Sequence, residues 1–296
     1  MSERIAFVEL DFDGEANFVS WDTHEIDNFL DHIDCIDRKV RWSERFEAHA
    51  VERPQQNPQR SGSFVFEFGD IRSLLANWGY VQSAMSISDP TRLMLEYTQA
   101  MMGFLLFNSS PKTIEIIGLG GGSLAKYCHR YLPGATIRAV EIDEDVLSVS
   151  DQFCIPTDSD RLEILWADGY DFVTQDMRST DVLLVDDFNS DNEPNQLSST
   201  SFFRACRARL NPGGVLVSNL CNPQGRNQPT LHRLRESFND LVTVPVEAGM
   251  NLVVFAFADE DAPFNLEKLR LIARDLQRVH PLRLSALVRG IVPDAR

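Results

Sequence analysis

Thr113-Ile114-Glu115-Ile116-Ile117, followed at once by Gly118-Leu119-Gly120-Gly121-Gly122-Ser123, is the stretch that decides the fold. Its apolar run predicts a buried strand, its glycines a turn, and Leu124 to Leu132 a helix. A β-turn-α element of this kind admits a nucleotide against bare backbone, because glycine has no Cβ to hold the ligand off. A nucleoside-type ligand is the leading expectation. Glycine turns also serve simply to let a helix pack closely on a sheet, so the strands that follow must decide.

They favour the ligand. Ile137-Arg138-Ala139-Val140 predicts a second strand ending on Glu141, where a doubly wound sheet places an acid to accept hydrogen bonds from both ribose hydroxyls. Leu162-Glu163-Ile164-Leu165-Trp166 predicts a third, followed by Ala167-Asp168-Gly169, whose carboxylate suits an adenine amino group. A fourth, Asp181 to Val185, ends in two adjacent acids, Asp186 and Asp187. Ligands of such sheets bind beyond the carboxyl ends of the strands, which is where these residues fall.

The order of glycine turn, Val140-Glu141-Ile142-Asp143, Ala167-Asp168-Gly169, Leu183-Leu184-Val185-Asp186 and Asn211-Pro212-Gly213-Gly214 resembles the class I S-adenosylmethionine-dependent transferases. Within them it resembles the spermidine/spermine synthase family of polyamine aminopropyltransferases. The likeness runs from about Phe64 to about Phe257 and is strongest from Ile114 to Leu220. It implies an α/β, Rossmann-like class I methyltransferase fold: a seven-stranded, mostly parallel sheet with an antiparallel edge hairpin, preceded by a small N-terminal β-containing region. It also implies a homodimer and decarboxylated S-adenosylmethionine as the donor substrate.

Carried over residue by residue, the resemblance makes Asp186 the catalytic acid. Aminopropyl transfer needs a neutral amine to attack the carbon beside a sulfonium, and a carboxylate orients that amine and takes its proton. Gln82, Gly118, Gly120, Gly122, Glu141, Asp168 and Gly169 become the donor-binding set, and Tyr97, Asp187 and Asn189 the amine-binding set. Three motifs depart from the family. Tyr97-Thr98-Gln99 stands where it commonly has Tyr-His-Glu, Asn189 where its Asp-Ser-Ser-Asp motif ends on an acid, and Gly121 where Gly-Gly-Gly-Asp-Gly carries one. An acid in that turn repels the carboxylate of intact S-adenosylmethionine, so its absence leaves the ordinary methyl donor open. The readings are therefore aminopropyl transfer to an amine, methyl transfer to a small molecule, or an adenosyl-binding protein without catalysis. A dinucleotide dehydrogenase fits the Asp168 and Asp186 strand ends less well.

Composition narrows the partners. The 296 residues are 43% hydrophobic, enough for a sizeable core, and the net charge of −16 disfavours nucleic acid. No apolar run reaches a membrane span of roughly 20 residues and the N-terminus lacks a signal-peptide pattern, so the expectation is a cytoplasmic protein without a membrane partner. Five scattered cysteines without CxxC spacing and six histidines without HxxH or HExxH spacing predict neither disulfides nor a metal.

Four regions are expected: an acidic N-terminal extension over 1–60, a small β-hairpin region with a connecting helix over 61–110, the S-adenosyl-binding domain over 111–262 and a C-terminal helical segment over 263–296. From Glu3 to Asp37 the acids are opposed only by Arg4, and Ile26 to Val40 partly follows helical spacing. A core helix is expected within Pro90 to Phe107.

Overall fold

The computed structural model describes residues 5–10, 16–21, 63–76, 80–157, 159–175, 178–186, 196–221, 227–238, 240–246, 251–259 and 265–293. The chain forms two compact units. The first comprises Met1–Leu95, Gly120–Ser123 and Asp143–Ile155, and the second Glu96–Leu119, Leu124–Ile142 and Pro156–Arg296.

The first unit is built on an antiparallel sheet of β1 (Ile5–Leu10), β2 (Ala16–Trp21), β3 (Ser63–Phe68), β4 (Ile71–Ala76) and β5 (Tyr80–Ser86), in the order β2-β1-β3-β4-β5. The expected hairpin is β3 and β4, joined by the two-residue turn Gly69-Asp70 with Gly69 at φ +58°. β1 pairs with β3 through Val8↔Glu67, so the sheet runs on both sides of residue 60 and draws the acidic segment into the β-region. Its two strands, IAFVEL and ANFVSW, are short runs rich in apolar and aromatic residues, a strand signal that the surrounding acids disguise. The helical spacing from Ile26 to Val40 lies outside the described residues.

The second unit contains β6 (Thr113–Ile117), β7 (Thr136–Glu141), β8 (Leu162–Trp166), β9 (Thr180–Val185), β10 (Leu210–Cys221), β11 (Leu241–Val246), β12 (Asn251–Phe257) and β13 (Val292–Pro293). They form one sheet in the order β13-β11-β12-β10-β9-β6-β7-β8. β8, β7, β6, β9 and β10 are parallel, and β12 and β11 form the expected antiparallel hairpin. The sheet has one strand more than the seven expected, because the chain end adds two-residue β13 to β11. Its helices are α1 (Glu96–Met101), α2 (Ser123–Tyr131), α3 (Gly169–Gln175), α4 (Thr200–Arg209), α5 (Gln228–Ser237), α6 (Leu266–Leu276) and α7 (Leu284–Gly290).

The helix expected within Pro90 to Phe107 begins only at Glu96 and tightens to a 3₁₀ turn over Met102–Leu106. Before it, Asp89 N–H donates to Ser86 Oγ and Thr91 Oγ1 to Asp89 Oδ1, local bonds that favour turns over helix. Gly103 lets the 3₁₀ turn come close: a Cβ there would stand 2.4 Å from Leu287 and 2.9 Å from Phe255. Asn211-Pro212-Gly213-Gly214 lies inside β10 as an irregularity between Leu210 and Val215.

The core between sheet and helices combines Leu183, Val185, Phe202, Phe203, Leu216 and Phe238 with one buried ionic cluster. Glu115, 2% exposed on the central strand, accepts from Arg209 Nε at 2.5 Å, Arg209 Nη2 at 2.9 Å and Arg138 Nη1 at 2.9 Å. Both guanidinium groups lie over the Phe172 ring, at 4.7 and 4.5 Å from its centroid. The cluster ties β6, β7 and the end of α4 to α3, and fixes the central strands whose carboxyl ends carry the predicted site.

Candidate active site

Register brings the predicted acids to one level. Ile117 is level with Val140 on one side and Val185 on the other, so Gly118, Glu141 and Asp186 leave the sheet in a row. Backbone bonds stitch that row together: Gly118 N–H donates to Val140 O at 2.9 Å and Asp186 N–H to Ile117 O at 2.9 Å. Gly118 adopts φ +87°, the left-handed region that favours glycine, and the turn opens there.

Glu141 is 7% exposed and its carboxylate is fixed by backbone amides. Leu119 N–H donates to Oε2 and Ile142 N–H to Oε1, each at 2.9 Å. The first of these locks the glycine turn to the acid, a function the sequence reading did not assign to Glu141. A carboxylate oxygen accepts more than one hydrogen bond, so the same group that closes the turn remains suited to a diol.

Asp168 caps α3. Its Oδ1 accepts from Tyr170 N–H at 2.8 Å and Asp171 N–H at 3.0 Å, and Oδ2 has no partner among the described residues. Gly169 is required by close packing, since a Cβ would stand 2.5 Å from Ile117 Cγ2.

Asp186 is half-buried, and its Oδ1 accepts from Asn219 Nδ2 on β10 at 3.0 Å. Asn219 Oδ1 is buried without a hydrogen-bond partner among the described residues. Sequence reasoning missed this residue; the available signal was its place, one strand over from Asp186 and near the carboxyl end of β10.

Gly120 and Gly122, at φ +50° and +68°, lie in the first unit with Gly121. A Cβ on Gly121 would stand 2.7 Å from both Phe153 Cδ1 and Ser83 Oγ, and one on Gly122 would stand 2.6 Å from Ile155. A side chain at 121 would require Phe153 and Ser83 to shift. Ser83 Oγ and Ser123 Oγ are hydrogen-bonded at 3.3 Å. Gln82 lies half-buried on β5, the strand that follows the β3–β4 hairpin.

Tyr97 is half-buried on α1, and Thr98 beside it is buried. Asp187 and Asn189 lie outside the described residues, as does the stretch up to residue 195. Cys128 and Cys206 are buried, and burial pushes the Cys128 thiol up to about 12 and raises that of Cys206, which suits packing and not nucleophilic attack. Among the described residues no three His, Cys, Asp or Glu side chains gather as a metal-holding group, and no helix is long and apolar enough to cross a membrane. A surface pocket of about 480 Å³ lined by Arg204, Arg207, Asn211 and Asp259 opens by the amino end of β10 and contains none of the predicted site residues.

Residues 94–240 match the spermine/spermidine synthase domain. Polyamine aminopropyltransferase from Chromobacterium violaceum is 39% identical over 215 residues, covering 72% of this chain and 82% of that protein. A probable spermidine synthase from Corynebacterium glutamicum has the same fold, with a TM-score of 0.62 at 21% identity over 77% of this chain and 88% of that one. Human methyltransferase-like protein 13, solved in complex with SAH, superposes with a TM-score of 0.54 at 27% identity over 68% of this chain and 93% of that one. The sequence likeness, its coverage of both chains and the shared sheet place this chain in the spermine/spermidine synthase family.

Proposed function

We propose that this chain transfers an aminopropyl group from decarboxylated S-adenosylmethionine to an amine, as in polyamine biosynthesis. The observation that carries the reading is the row of Gly118, Glu141 and Asp186 at the carboxyl ends of three adjacent parallel strands, with Asp168 following the fourth. Family membership supports it. Gly118, Gly120, Gly122 and Gln82 contact the donor, Glu141 accepts from the ribose hydroxyls, and Asp168 accepts from the adenine amino group through the oxygen its cap leaves over. Gly169 permits that approach.

In the reaction, the nitrogen lone pair of the acceptor attacks the aminopropyl carbon next to the sulfonium. The new C–N bond forms as the C–S bond breaks, and its electron pair leaves on sulfur as 5′-methylthioadenosine. The proton lost from nitrogen passes to Asp186, whose carboxylate Asn219 holds by one oxygen. Asn219 Oδ1, buried and without a partner among the described residues, is an additional acceptor for the amine. Tyr97, Asp187 and Asn189 complete the amine-binding set. Displacement needs neither a metal nor a covalent intermediate.

The reading also takes residues 111–262 as the donor-binding domain, the segment 263–296 as its helical appendage, and the chain as a cytoplasmic homodimer. A second reading, methyl transfer from intact S-adenosylmethionine, is favoured by one feature: Gly121 stands in place of the acid that would reject a carboxylate-bearing donor.

Parallel calorimetric titrations with the two donors and 5′-methylthioadenosine, followed by turnover assays over an amine panel, test both. Tenfold preference for the decarboxylated donor, about 1.4 kcal/mol, with a propylated amine as product, is the expected result. Methylated product moves the assignment to the second reading. Tight binding without turnover makes the chain an adenosyl-binding protein, and no binding of any of the three overturns the site.

A further inference from the structure

Beside Glu141 the second unit leaves two large apolar side chains open to solvent, Ile142 at 64% and Trp166 at 65% exposure. They are not independent. Trp166 is level with Glu141 in the β7–β8 pairing, and residues level in parallel strands send their side chains to the same face. Leu165 and Ala167, on either side of it, pack on the opposite face against the core. The indole leans across the strand ends, and its Nε1–H donates to Ile142 O at 3.0 Å. That bond satisfies the ring's one polar atom and tethers it while the residue stays 65% exposed.

A ring of this size normally buries 150–250 Å² when packed, so a tethered and uncovered indole beside a buried carboxylate invites a flat apolar occupant. The neighbouring polar groups say which kind. Glu141 suits a diol on one side, Asp168 Oδ2, two residues beyond Trp166, is an acceptor unused among the described residues, and Ala167 N–H, bound to Glu141 O at 3.0 Å, holds the connecting backbone in place. Diol acceptor, apolar ledge and amino-group acceptor occur in the order in which a purine nucleoside presents ribose, ring face and exocyclic amine.

We propose that Trp166 is a donor-binding residue, its indole forming with Ile142 an apolar wall against which the purine of the adenosyl donor rests. This rests on the adenosyl reading above. Because the wall touches the purine and not the reacting carbon, it stabilises ground state and transition state alike, and its loss appears in KM and not in kcat.

The test uses the full chain, 5′-methylthioadenosine as probe, and the variants Trp166→Ala and Trp166→Phe. Saturating the wild type should change its tryptophan emission, and that change should disappear in Trp166→Phe although calorimetric affinity stays within about threefold, because phenylalanine keeps an aromatic wall. Trp166→Ala should lose affinity about tenfold, or 1.4 kcal/mol, and raise donor KM about tenfold with kcat within about twofold. An exposed position should leave the melting temperature of both variants at the wild-type value. Wild-type affinity in Trp166→Ala overturns the inference, as does a loss of affinity matched by a falling melting temperature or by an equal loss in kcat. A wild type that fails to bind 5′-methylthioadenosine at all overturns the adenosyl reading itself, and the inference falls with it.

Discussion

Asp181 and Asp168 flank opposite ends of the same parallel sheet and are both bound to backbone amides, yet they differ in what remains. Asp181 stands near the amino end of β9, where its Oδ2 accepts from Lys112 N–H at 2.7 Å and Thr113 N–H at 3.1 Å and its Oδ1 from Asn211 Nδ2 at 2.8 Å. Asp168 follows the carboxyl end of β8 and closes two amides with one oxygen, leaving the other unengaged among the described residues. An acid with both oxygens occupied is a staple between strands. One with an oxygen to spare holds its turn and can also meet a ligand. The parallel sheet thus uses the same side chain at both ends, and of these two acids the one at the carboxyl end keeps an acceptor in hand among the described residues.

The contrast breaks first at Asp186. Asp186→Asn should lower turnover about 10²-fold or more while donor affinity stays within about threefold, because the amide keeps an oxygen but no longer takes the amine's proton. Single-turnover rates and donor titration check the two halves, and unchanged turnover would remove Asp186 from the chemistry. Asp168→Asn comes next. The amide oxygen still caps α3, so stability should hardly move, while an NH₂ replaces the spare acceptor and donor affinity should fall about tenfold. Equal affinity would make Asp168 a staple like Asp181. Asp181→Asn should do the converse: donor affinity unchanged, stability lower by about 1 kcal/mol, measured by denaturant unfolding.

Asp181 also carries a pH dependence that sharpens the difference. Burial pushes its carboxyl up, but the hydrogen bonds from Asn211 and from the Lys112 and Thr113 amides outweigh it and hold the group below its ordinary 3.8. A carboxyl lower in the folded than in the unfolded chain contributes stability above about pH 3.8 and loses it as pH falls through the folded value. The Asp181→Asn variant should therefore approach the wild type in stability as the solution is acidified.

The parallel half of the sheet was legible because each strand is a short apolar run punctuated by a turn residue, and the acids fall just beyond those runs. Glu141 and Asp168 were read from position, and Asp186 from position together with the family resemblance. Their double duty was not, because which amide a carboxylate closes depends on turns whose geometry is set by packing: Gly121 under Phe153 and Ser83, Gly169 against Ile117. Asn219 and Trp166 escaped for a related reason. Each sits one strand away from the acid it serves, and the pairing that brings β10 beside β9 and Trp166 level with Glu141 has no local signal. β1 and β2 were hidden by the acids that surround them in the sequence, and β13 by its length.

The smallest effect concerns a contact far along the chain. Tyr127, on the helix that follows the glycine turn, has its hydroxyl 3.0 Å from His280 Nδ1, and the two rings stack at 6.1 Å. His280 is 7% exposed, and burial lowers its pKa from the ordinary 6.5, so the fold prefers the neutral imidazole. The unfolded chain takes up the proton first as pH falls. The contribution is therefore complete above about pH 6.5 and lost as pH drops below it through the folded value. The melting temperature of the wild type should fall from pH 7 to pH 5 by more than that of His280→Gln, with the two curves converging in acid. Donor affinity at pH 7.5 should be the same in both, since the contact anchors the segment after α6 to α2 and takes no part in the row of acids. A variant with the wild-type pH slope would show that His280 titrates freely and that the Tyr127 contact contributes nothing to holding the C-terminal segment.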